Sequence, residues 1–321
     1  MRVLITGGHG FVGRYLAHHL TECGDEVIAT YHPGDKQSRD ENHFMPLPRT
    51  SQAISLDICD VGMVNSVMEL LRPEAVYHLA AITFVPDGEK NLGTVFAVNA
   101  HGTFNLLEAV KKHCSKSPFL YVSSAEVYGD PRPGTLPLVE TAELRPISAY
   151  GLSKASADLA VYQYAYRERL QAVRARPFPH TGPGQDDKFA LSSFARQLVE
   201  IRLGMREPVI EVGNLEARRD YSDVKDIVRG YREALLNGKR GAAYNFCSGK
   251  SWAISELLQK LIEMAEVEVE IRVDQSRFRS VDIADLCGSY EAARRDFGWK
   301  PRIEIDSTLQ SLLDYWQEQL S

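Results

Sequence analysis

The feature that most restricts the fold of this chain is a glycine-rich turn near its start, Thr6-Gly7-Gly8-His9-Gly10-Phe11-Val12-Gly13. The turn follows an apolar run typical of a strand (2–6) and leads into a helical pattern (11–23). Such glycines permit a tight turn, close approach of backbone N–H groups to a pyrophosphate, and close packing of the helix. We therefore predict a dinucleotide-binding turn at a helix N-terminus, with cofactor contacts from Gly7, Gly10, Phe11, Val12 and Gly13.

Strand-like and helical patterns alternate through the first half of the chain, which predicts an α/β fold with a doubly wound parallel sheet of the Rossmann type. Pro and Gly clusters change the pattern near residue 178. We expect a dinucleotide-binding domain over 1–177, to which 213–245 returns, and a smaller α/β substrate lobe over 178–321 that is interleaved with it.

Composition excludes several classes of protein. The chain has 37 Lys and Arg against 43 Asp and Glu, a net charge of −6, which disfavours nucleic acid as a partner. Its five cysteines form no CxxC pair, so we predict neither a metal site nor disulfides. No apolar run reaches the roughly 18 residues that a membrane span requires, and we expect a cytoplasmic protein without membrane contact.

The end of the second predicted strand bears on the choice of cofactor. Thr30-Tyr31-His32 stands where an acidic residue commonly binds the adenosine ribose of NAD. Without that carboxylate a 2′-phosphate is tolerated, so we expect NADP(H), with NAD(H) still open, and His32 and Arg39 as partners of the phosphate. Further cofactor walls are predicted at the ends of the third and fourth strands, at Asp57, Ile58, Leu79, Ala80 and Ala81.

Tyr150 and Lys154 are four residues apart at the start of an alanine-rich helical run, so they share one face. A neighbouring ammonium favours the phenolate, which makes Tyr150 a candidate proton carrier. Ser124 and Glu126 follow a strand that ends at the same sheet edge. We expect Ser124 to hydrogen-bond the reacting oxygen and Glu126 to be a second acid or base.

The motifs TGGHGFVG, DI, HLAA, VNAHGT, SSAEVYG and YGLSK occur in the order and spacing of the extended short-chain dehydrogenases/reductases, and the chain resembles that family over nearly its whole length. The resemblance implies an enzyme acting on a nucleotide sugar. It makes Ser124, Tyr150 and Lys154 a catalytic triad supported by Asn99, and gives Lys154 a second role at the nicotinamide ribose. It also adds His180 to the cofactor site and Thr83 to the substrate site.

The motifs HTGPGQ (180–185), VGNLEARRD (212–220) and NFCSG (245–249) resemble the branch of GDP-mannose 4,6-dehydratases and GDP-4-keto-6-deoxymannose reductases. The resemblance implies that Asn214, Arg218 and Arg279 bind a nucleotide diphosphate and that Asp282 binds its ribose. Two positions depart from the branch, because Pro179 replaces an amide that contacts substrate and Asp282 replaces the usual Glu.

The sequence therefore predicts an NADPH-dependent reductase of a GDP-4-keto-6-deoxyhexose. A 4,6-dehydratase assisted by Glu126, a 4-epimerase and a catalytically idle NADP-binding protein remain as alternatives. Helical runs 94–113 and 150–170 have apolar positions on more than one side, from which we expect a homodimer.

Overall fold

A computed structural model of the protein describes residues 1–34, 44–83, 91–278 and 282–321. Its main feature is a seven-stranded sheet that consists of β1 (Arg2–Thr6), β2 (Glu26–Tyr31), β3 (Gln52–Ser55), β4 (Ala75–His78), β5 (Phe119–Val122), β6 (Ala172–Pro177) and β11 (Ala243–Phe246). Every neighbouring pair is parallel, in the order β11-β6-β5-β4-β1-β2-β3. The predicted Rossmann-type α/β fold is confirmed.

Helices cover both faces of this sheet, and the buried side chains form one core on each face. The helices are α1 (Phe11–Glu22), α2 (Val61–Leu71), α3 (Leu92–Phe96), α4 (Gly102–His113), α5 (Ala149–Arg167) and α7 (Val224–Asn237). One core joins the sheet to α1 and α7, and the other joins it to α2, α4 and α5. Burial of the sheet on both sides explains why its central strands β1, β4 and β5 are mostly continuous apolar runs rather than alternating ones.

A third core lies in the C-terminal half of the chain. It joins α6 (Ala190–Arg202), α8 (Ile254–Ala265), α10 (Ile305–Leu320) and strand β8 (Val209–Val212). Other strands in this half are β7 (His180–Thr181), β9 (Arg218–Asp220), β10 (Ser222–Asp223), β12 (Ser251–Ala253), β13 (Glu270–Val273) and β14 (Asp285–Leu286).

Segments from beyond residue 178 also pack on the main sheet. Strand β11 is its edge strand, and Trp299, which follows helix α9 (Glu291–Phe297), belongs to the core on the side of α1 and α7. The Trp299 indole N–H donates to the carbonyl oxygen of Asp226 in α7 over 3.1 Å. The chain therefore passes several times between the main sheet and the C-terminal core.

The register of the sheet brings the site motifs together. Thr6 pairs with His78, and His78 pairs with Tyr121 on the next strand. The glycine turn, the HLAA segment and the SSAEVYG segment consequently leave the sheet side by side at its carboxyl edge, where open α/β sheets bind ligands.

Candidate active site

The glycine turn has the backbone geometry that a pyrophosphate requires. Gly7 has a φ of +70°, and a Cβ added at Gly13 would lie 2.4 Å from the carbonyl oxygen of Gly7. Helix α1 begins after Gly10, which offers no side-chain cap to the free N–H groups of the first turn. Bare N–H groups at a positive helix end suit an anionic group, so the turn fits the diphosphate of a dinucleotide.

The far end of the predicted cofactor site contains His32 and Asp57. The Nε2 of His32 lies 3.8 Å from Oδ2 of Asp57, and the other Asp57 oxygen accepts from the Cys59 N–H over 2.8 Å. Both side chains are accessible, at 63% and 34%. Ile58 differs, because its side chain is 4% exposed and packs beneath the start of α4. Arg39 lies outside the described residues.

The wall formed by Leu79, Ala80 and Ala81 stands close to the glycine turn. A Cβ added at Gly7 would lie 2.8 Å from the Ala80 nitrogen, so the two backbones approach as closely as glycine permits. The Ala80 N–H donates to the Thr6 hydroxyl over 3.3 Å. The three wall residues are half-buried, and the two cofactor motifs form one continuous surface.

Ser124 and Tyr150 lie close enough for a side-chain hydrogen bond from Ser124 to affect the pKa of Tyr150. Ser124 follows β5, is buried, and accepts from the Glu126 N–H over 3.1 Å at the start of a short 3-10 turn, Ala125–Tyr128. Tyr150 is in the first turn of α5, whose N-cap Ser148 accepts from the Gly151 N–H over 3.0 Å. The strand end and the helix start therefore hold the two hydroxyl groups together, beside the half-buried Glu126.

Burial raises the pKa of Tyr150 to about 12, a hydrogen bond from Ser124 opposes that rise, and the charge of Glu126 adds to it. We expected the Lys154 ammonium to lower the pKa of Tyr150, and that expectation is wrong for this structure. Lys154 instead donates to the carbonyl oxygen of Val122 and lies 4.6 Å from the ring centroid of Tyr121. Burial lowers its own pKa to about 7, partly offset by Asp158.

Asn99 connects the backbone at Ile82 with the helical turn that carries Tyr150. It lies in a π-helical turn, Ala97–His101, between α3 and α4. Its amide accepts from the Ile82 N–H over 2.8 Å, and donates over 3.0 Å to both the Ile82 carbonyl and the Ser153 hydroxyl. Ser153 in turn donates to the Tyr150 carbonyl over 2.7 Å. Thr83, next to Ile82, is exposed.

Sequence reasoning missed the π-helical turn, Ser153, and a buried ion cluster that holds α5. Asp158 accepts from Arg174 over 2.7 Å and from two nitrogens of Arg176 over 2.8 and 3.0 Å. No helical periodicity predicts that an α5 acid meets two arginines of β6. The sequence pattern also does not reveal the extra residue of the π-helical turn, although such turns often occur at functional sites.

The predicted substrate residues separate into two groups. Asn214 donates to Asp282 over 3.0 Å, and Asp282 also accepts from Arg219 over 2.5 Å. Arg218, the arginine that we named, points away in its strand toward Ser251, whose carbonyl accepts from it over 3.0 Å. The alternation of side chains along a strand is the signal that separates the two arginines. Arg279 lies outside the described residues.

His180 begins β7, is half-buried, and its Nδ1 lies 2.8 Å from the Phe178 carbonyl oxygen. Burial lowers its pKa. Pro179 between them uses its carbonyl to accept from the Ser222 N–H over 3.0 Å. This hydrogen bond joins β7 to β10. It fixes the backbone at Pro179, the position that carries an amide side chain in the related branch.

Two features are absent from the part of the chain that the structure describes. None of its helices is long and apolar enough to cross a membrane. It also contains no group of three or more His, Cys, Asp or Glu side chains placed to hold a metal ion.

Comparisons with known proteins point to one family. The family model for GDP-mannose 4,6 dehydratase matches residues 4–312. The chain is 34% identical to a GDP-6-deoxy-D-mannose reductase of Pseudomonas aeruginosa over 99% of this chain and 98% of that protein. It is 25% identical to GDP-mannose 4,6 dehydratase 1 of Arabidopsis thaliana, over 97% of this chain and 88% of the relative.

Solved structures agree with this result. The structure of RMD from Pseudomonas aeruginosa complexed with NADPH superposes with a TM-score of 0.86 at 32% identity, covering 100% of both chains. A UDP-glucose 4-epimerase from Thermotoga maritima, solved with UDP-glucose, reaches a TM-score of 0.89 at 26% identity, again over 100% of both chains.

Proposed function

Because the chain belongs to the GDP-mannose 4,6-dehydratase family of extended short-chain dehydrogenases/reductases, we propose that it reduces the 4-keto group of a GDP-linked 4-keto-6-deoxyhexose with NADPH. It is an enzyme of nucleotide-sugar chemistry. The observation that carries the choice of reduction is the 34% identity to a GDP-6-deoxy-D-mannose reductase over 99% of this chain. Tyr150, beside Ser124, is the group placed to give a proton to the keto oxygen as the ketone is reduced.

Ser124, Tyr150 and Lys154 each have a separate role in the reduction of the sugar ketone. NADPH, when bound, supplies the hydride. Ser124 orients the keto oxygen by a hydrogen bond, and Tyr150 gives its proton to that oxygen as the carbon is reduced. Lys154, which does not lower the pKa of Tyr150 in this structure, is proposed to bind the ribose of the nicotinamide.

The glycine turn and the Ala80 wall are proposed to hold NADPH, with Asn99 and Lys154 beside the nicotinamide end. His32 is exposed and stands where an acid would repel a 2′-phosphate, which supports NADPH over NADH. The expected result is a dissociation constant for NADPH well below that for NADH. The reverse order would contradict the assignment.

The nucleotide is proposed to lie along Asn214 and Asp282, with Thr83 toward the sugar, whereas Arg218 points away from this pair. This arrangement assigns the substrate to a lobe formed mainly by residues 178–321, from which α7 and β11 return to the cofactor domain. The buried Arg219 joins this set because it holds Asp282 in place. We expect Asn214→Ala to raise the KM for the GDP-sugar and to leave the dissociation constant of NADPH unchanged.

The decisive test is NADPH oxidation with freshly prepared GDP-4-keto-6-deoxymannose. Wild-type protein should oxidise NADPH, and Tyr150→Phe should lose most turnover while binding NADPH normally. Tyr166→Phe is the matched control, because Tyr166 lies on the same helix but is 79% exposed. Unchanged turnover in Tyr150→Phe would refute the assignment of the proton donor.

Dehydration of GDP-mannose is the second candidate, and the position of Glu126 favours it. This carboxylate lies close enough to Tyr150 to raise its pKa, so it could also remove a proton next to a carbonyl. Incubation with GDP-mannose and catalytic NADP distinguishes the reactions. A dehydratase would form the 4-keto product and lose it in Glu126→Gln, whereas a reductase would leave GDP-mannose unchanged.

A homodimer is proposed through α4 and α5. Leu152, Leu159, Tyr162 and Tyr166 share one face of α5 and are 46%, 54%, 48% and 79% exposed, and Phe104 of α4 is 38% exposed. Light scattering should give twice the chain mass, and Leu159→Glu with Tyr166→Glu should halve it. Leu70→Glu is the control, because Leu70 is 82% exposed on α2. A monomeric wild-type mass would contradict the proposal.

A further inference from the structure

A chain of buried polar side chains runs behind the cofactor wall. Thr6, His78 and Thr103 are 0%, 1% and 0% exposed. The Thr6 hydroxyl lies 2.6 Å from Nδ1 of His78, and Nε2 of His78 lies 2.9 Å from the Thr103 hydroxyl. The imidazole is flanked by the rings of Phe119 and Tyr121, at centroid distances of 6.1 and 5.7 Å. Three polar groups in an apolar setting require complete hydrogen bonding.

The available protons determine the tautomer of His78. Thr103 donates its only hydroxyl proton to the Asn99 carbonyl over 2.7 Å, so its oxygen must accept from Nε2–H of His78. Nδ1 of His78 is then unprotonated and accepts from Thr6. The Thr6 oxygen accepts from the Ala80 N–H over 3.3 Å. Each hydrogen bond in this series therefore has one possible donor and one possible acceptor.

Burial, with the nearby charge of Lys154, lowers the pKa of His78 to about 3. The ring is therefore neutral in the working range and does not itself exchange protons with a substrate. The ring can accept one hydrogen bond at Nδ1 and donate another from Nε2, and the distance between these two nitrogens is fixed.

The two ends of the chain lie at different parts of the site. One end is the Ala80 backbone, which stands against Gly7 in the glycine turn. The other end is Asn99, whose amide holds Ser153, and Ser153 holds the Tyr150 carbonyl. His78 is the link between the backbone that faces the diphosphate and the backbone that carries the proton donor.

We propose that His78, as its neutral Nε2–H tautomer, is a positioning residue that keeps the Ala80 wall and Asn99 at a fixed separation through Thr6 and Thr103. The proposal rests on the function proposed above, because it assigns one end of the link to cofactor binding and the other to proton donation. Loss of the Thr6 half should weaken NADPH binding, and loss of the Thr103 half should slow turnover. A purely structural role would affect both together.

The test uses variants that remove one half of the link. Thr103→Val and Thr6→Val each remove a hydroxyl at nearly constant shape. His78→Asn can still accept from Thr6 through an oxygen near the Nδ1 position, and His78→Gln can still donate to Thr103 from the Nε2 position. The readouts are kcat with GDP-4-keto-6-deoxymannose, the dissociation constant of NADPH by fluorescence, and the thermal unfolding temperature.

Misplacement by about 1 Å can cost on the order of 100-fold in rate, so a smaller shift should cost about tenfold. We expect Thr103→Val and His78→Asn to lower kcat about tenfold with little change in NADPH affinity, and Thr103→Ser to restore kcat. Thr6→Val and His78→Gln should weaken NADPH binding about tenfold. Thr308→Val is the matched control, because Thr308 is also fully buried and donates to Asp223 over 2.9 Å in the distant α10.

The proposal is overturned if Thr103→Val leaves kcat unchanged, or if kcat and NADPH affinity fall together in all variants in proportion to thermal stability. Thr103→Val decides the matter even where a His78 variant does not fold, because valine keeps the shape of threonine. The binding measurements need no sugar substrate. A failure of the proposed reaction would appear in Tyr150→Phe and in the wild type, and is therefore distinguishable from a failure of the link.

Discussion

Replacement of Lys154 by methionine should make the cofactor-free protein more stable and inactive. Lys154 is 3% exposed, and burial lowers its pKa from 10.5 to about 7. Methionine has a similar length, no charge and a flexible apolar side chain, so it can occupy the same space. The variant therefore separates the cost of burying this ammonium from its use in the site.

The size of the effect follows from the two pKa values. Each pKa unit corresponds to about 1.4 kcal/mol, so the charge of Lys154 destabilises the folded state by about 4 kcal/mol at pH 7. The variant also loses the hydrogen bond to Val122 and the contact with the Tyr121 ring, together about 1–2 kcal/mol. We expect a net gain of about 2–3 kcal/mol in the free energy of unfolding.

The pH dependence has a definite sign. The folded pKa lies below the unfolded one, so the unfolded chain binds more protons between about pH 7 and 10.5, and the wild type gains stability as pH rises through that window. Lys154→Met lacks this gain. Its advantage over the wild type should therefore shrink by about 3 kcal/mol between pH 7 and about pH 9.5.

The assay is urea unfolding of the wild type and the variant at both pH values, at one protein concentration, with NADPH-dependent turnover measured alongside. Lys111→Met is the control, because Lys111 lies on the surface and pairs with Glu108 over 2.8 Å. The reasoning is refuted if Lys154→Met is less stable than the wild type at pH 7, or if the difference does not change with pH.

Three further outcomes are expected. Asp158→Asn leaves Arg174 and Arg176 without their shared carboxylate and should lower the free energy of unfolding by about 3–5 kcal/mol in urea, while the exposed Asp306→Asn should not. Gly13→Ala places a Cβ 2.4 Å from the Gly7 oxygen and should weaken NADPH binding at least about tenfold in a fluorescence titration, whereas Gly93→Ala, with its nearest contact at 3.9 Å, should not. Asn99→Leu removes both hydrogen bonds to Ile82 and should lower kcat about 10- to 100-fold; a rate equal to the wild type would exclude Asn99 from positioning Tyr150.

Much of the fold and part of the site could be predicted from the residues alone, because these features depend on neighbours in the chain. The glycine turn is one example, since positive φ at Gly7 and the space at Gly13 involve residues a few positions apart. The start of α5 is another, because helical spacing places Tyr150 and Lys154 on one face. The order of the strand-like runs likewise determined a parallel sheet whose carboxyl edge holds the motifs.

Tertiary structure decided the directions and electrostatics of the side chains. Lys154 donates to the carbonyl oxygen of Val122 and does not lower the pKa of Tyr150. Burial determines the pKa of both groups, and helical spacing cannot reveal burial. Arg219 rather than Arg218 meets Asp282, because the pairing of β9 with its neighbours fixes which side each arginine faces.

The buried link from Thr6 through His78 to Thr103 belongs wholly to this second class. Its members are separated by 72 and 25 residues in the chain, and each alone is an ordinary strand or helix residue. Sequence by itself determined which chemical groups are present and which local turns present them. The distances that convert those groups into a site arise only when the sheet register and the two cores bring distant segments together, since hydrogen bonds act over about 3 Å.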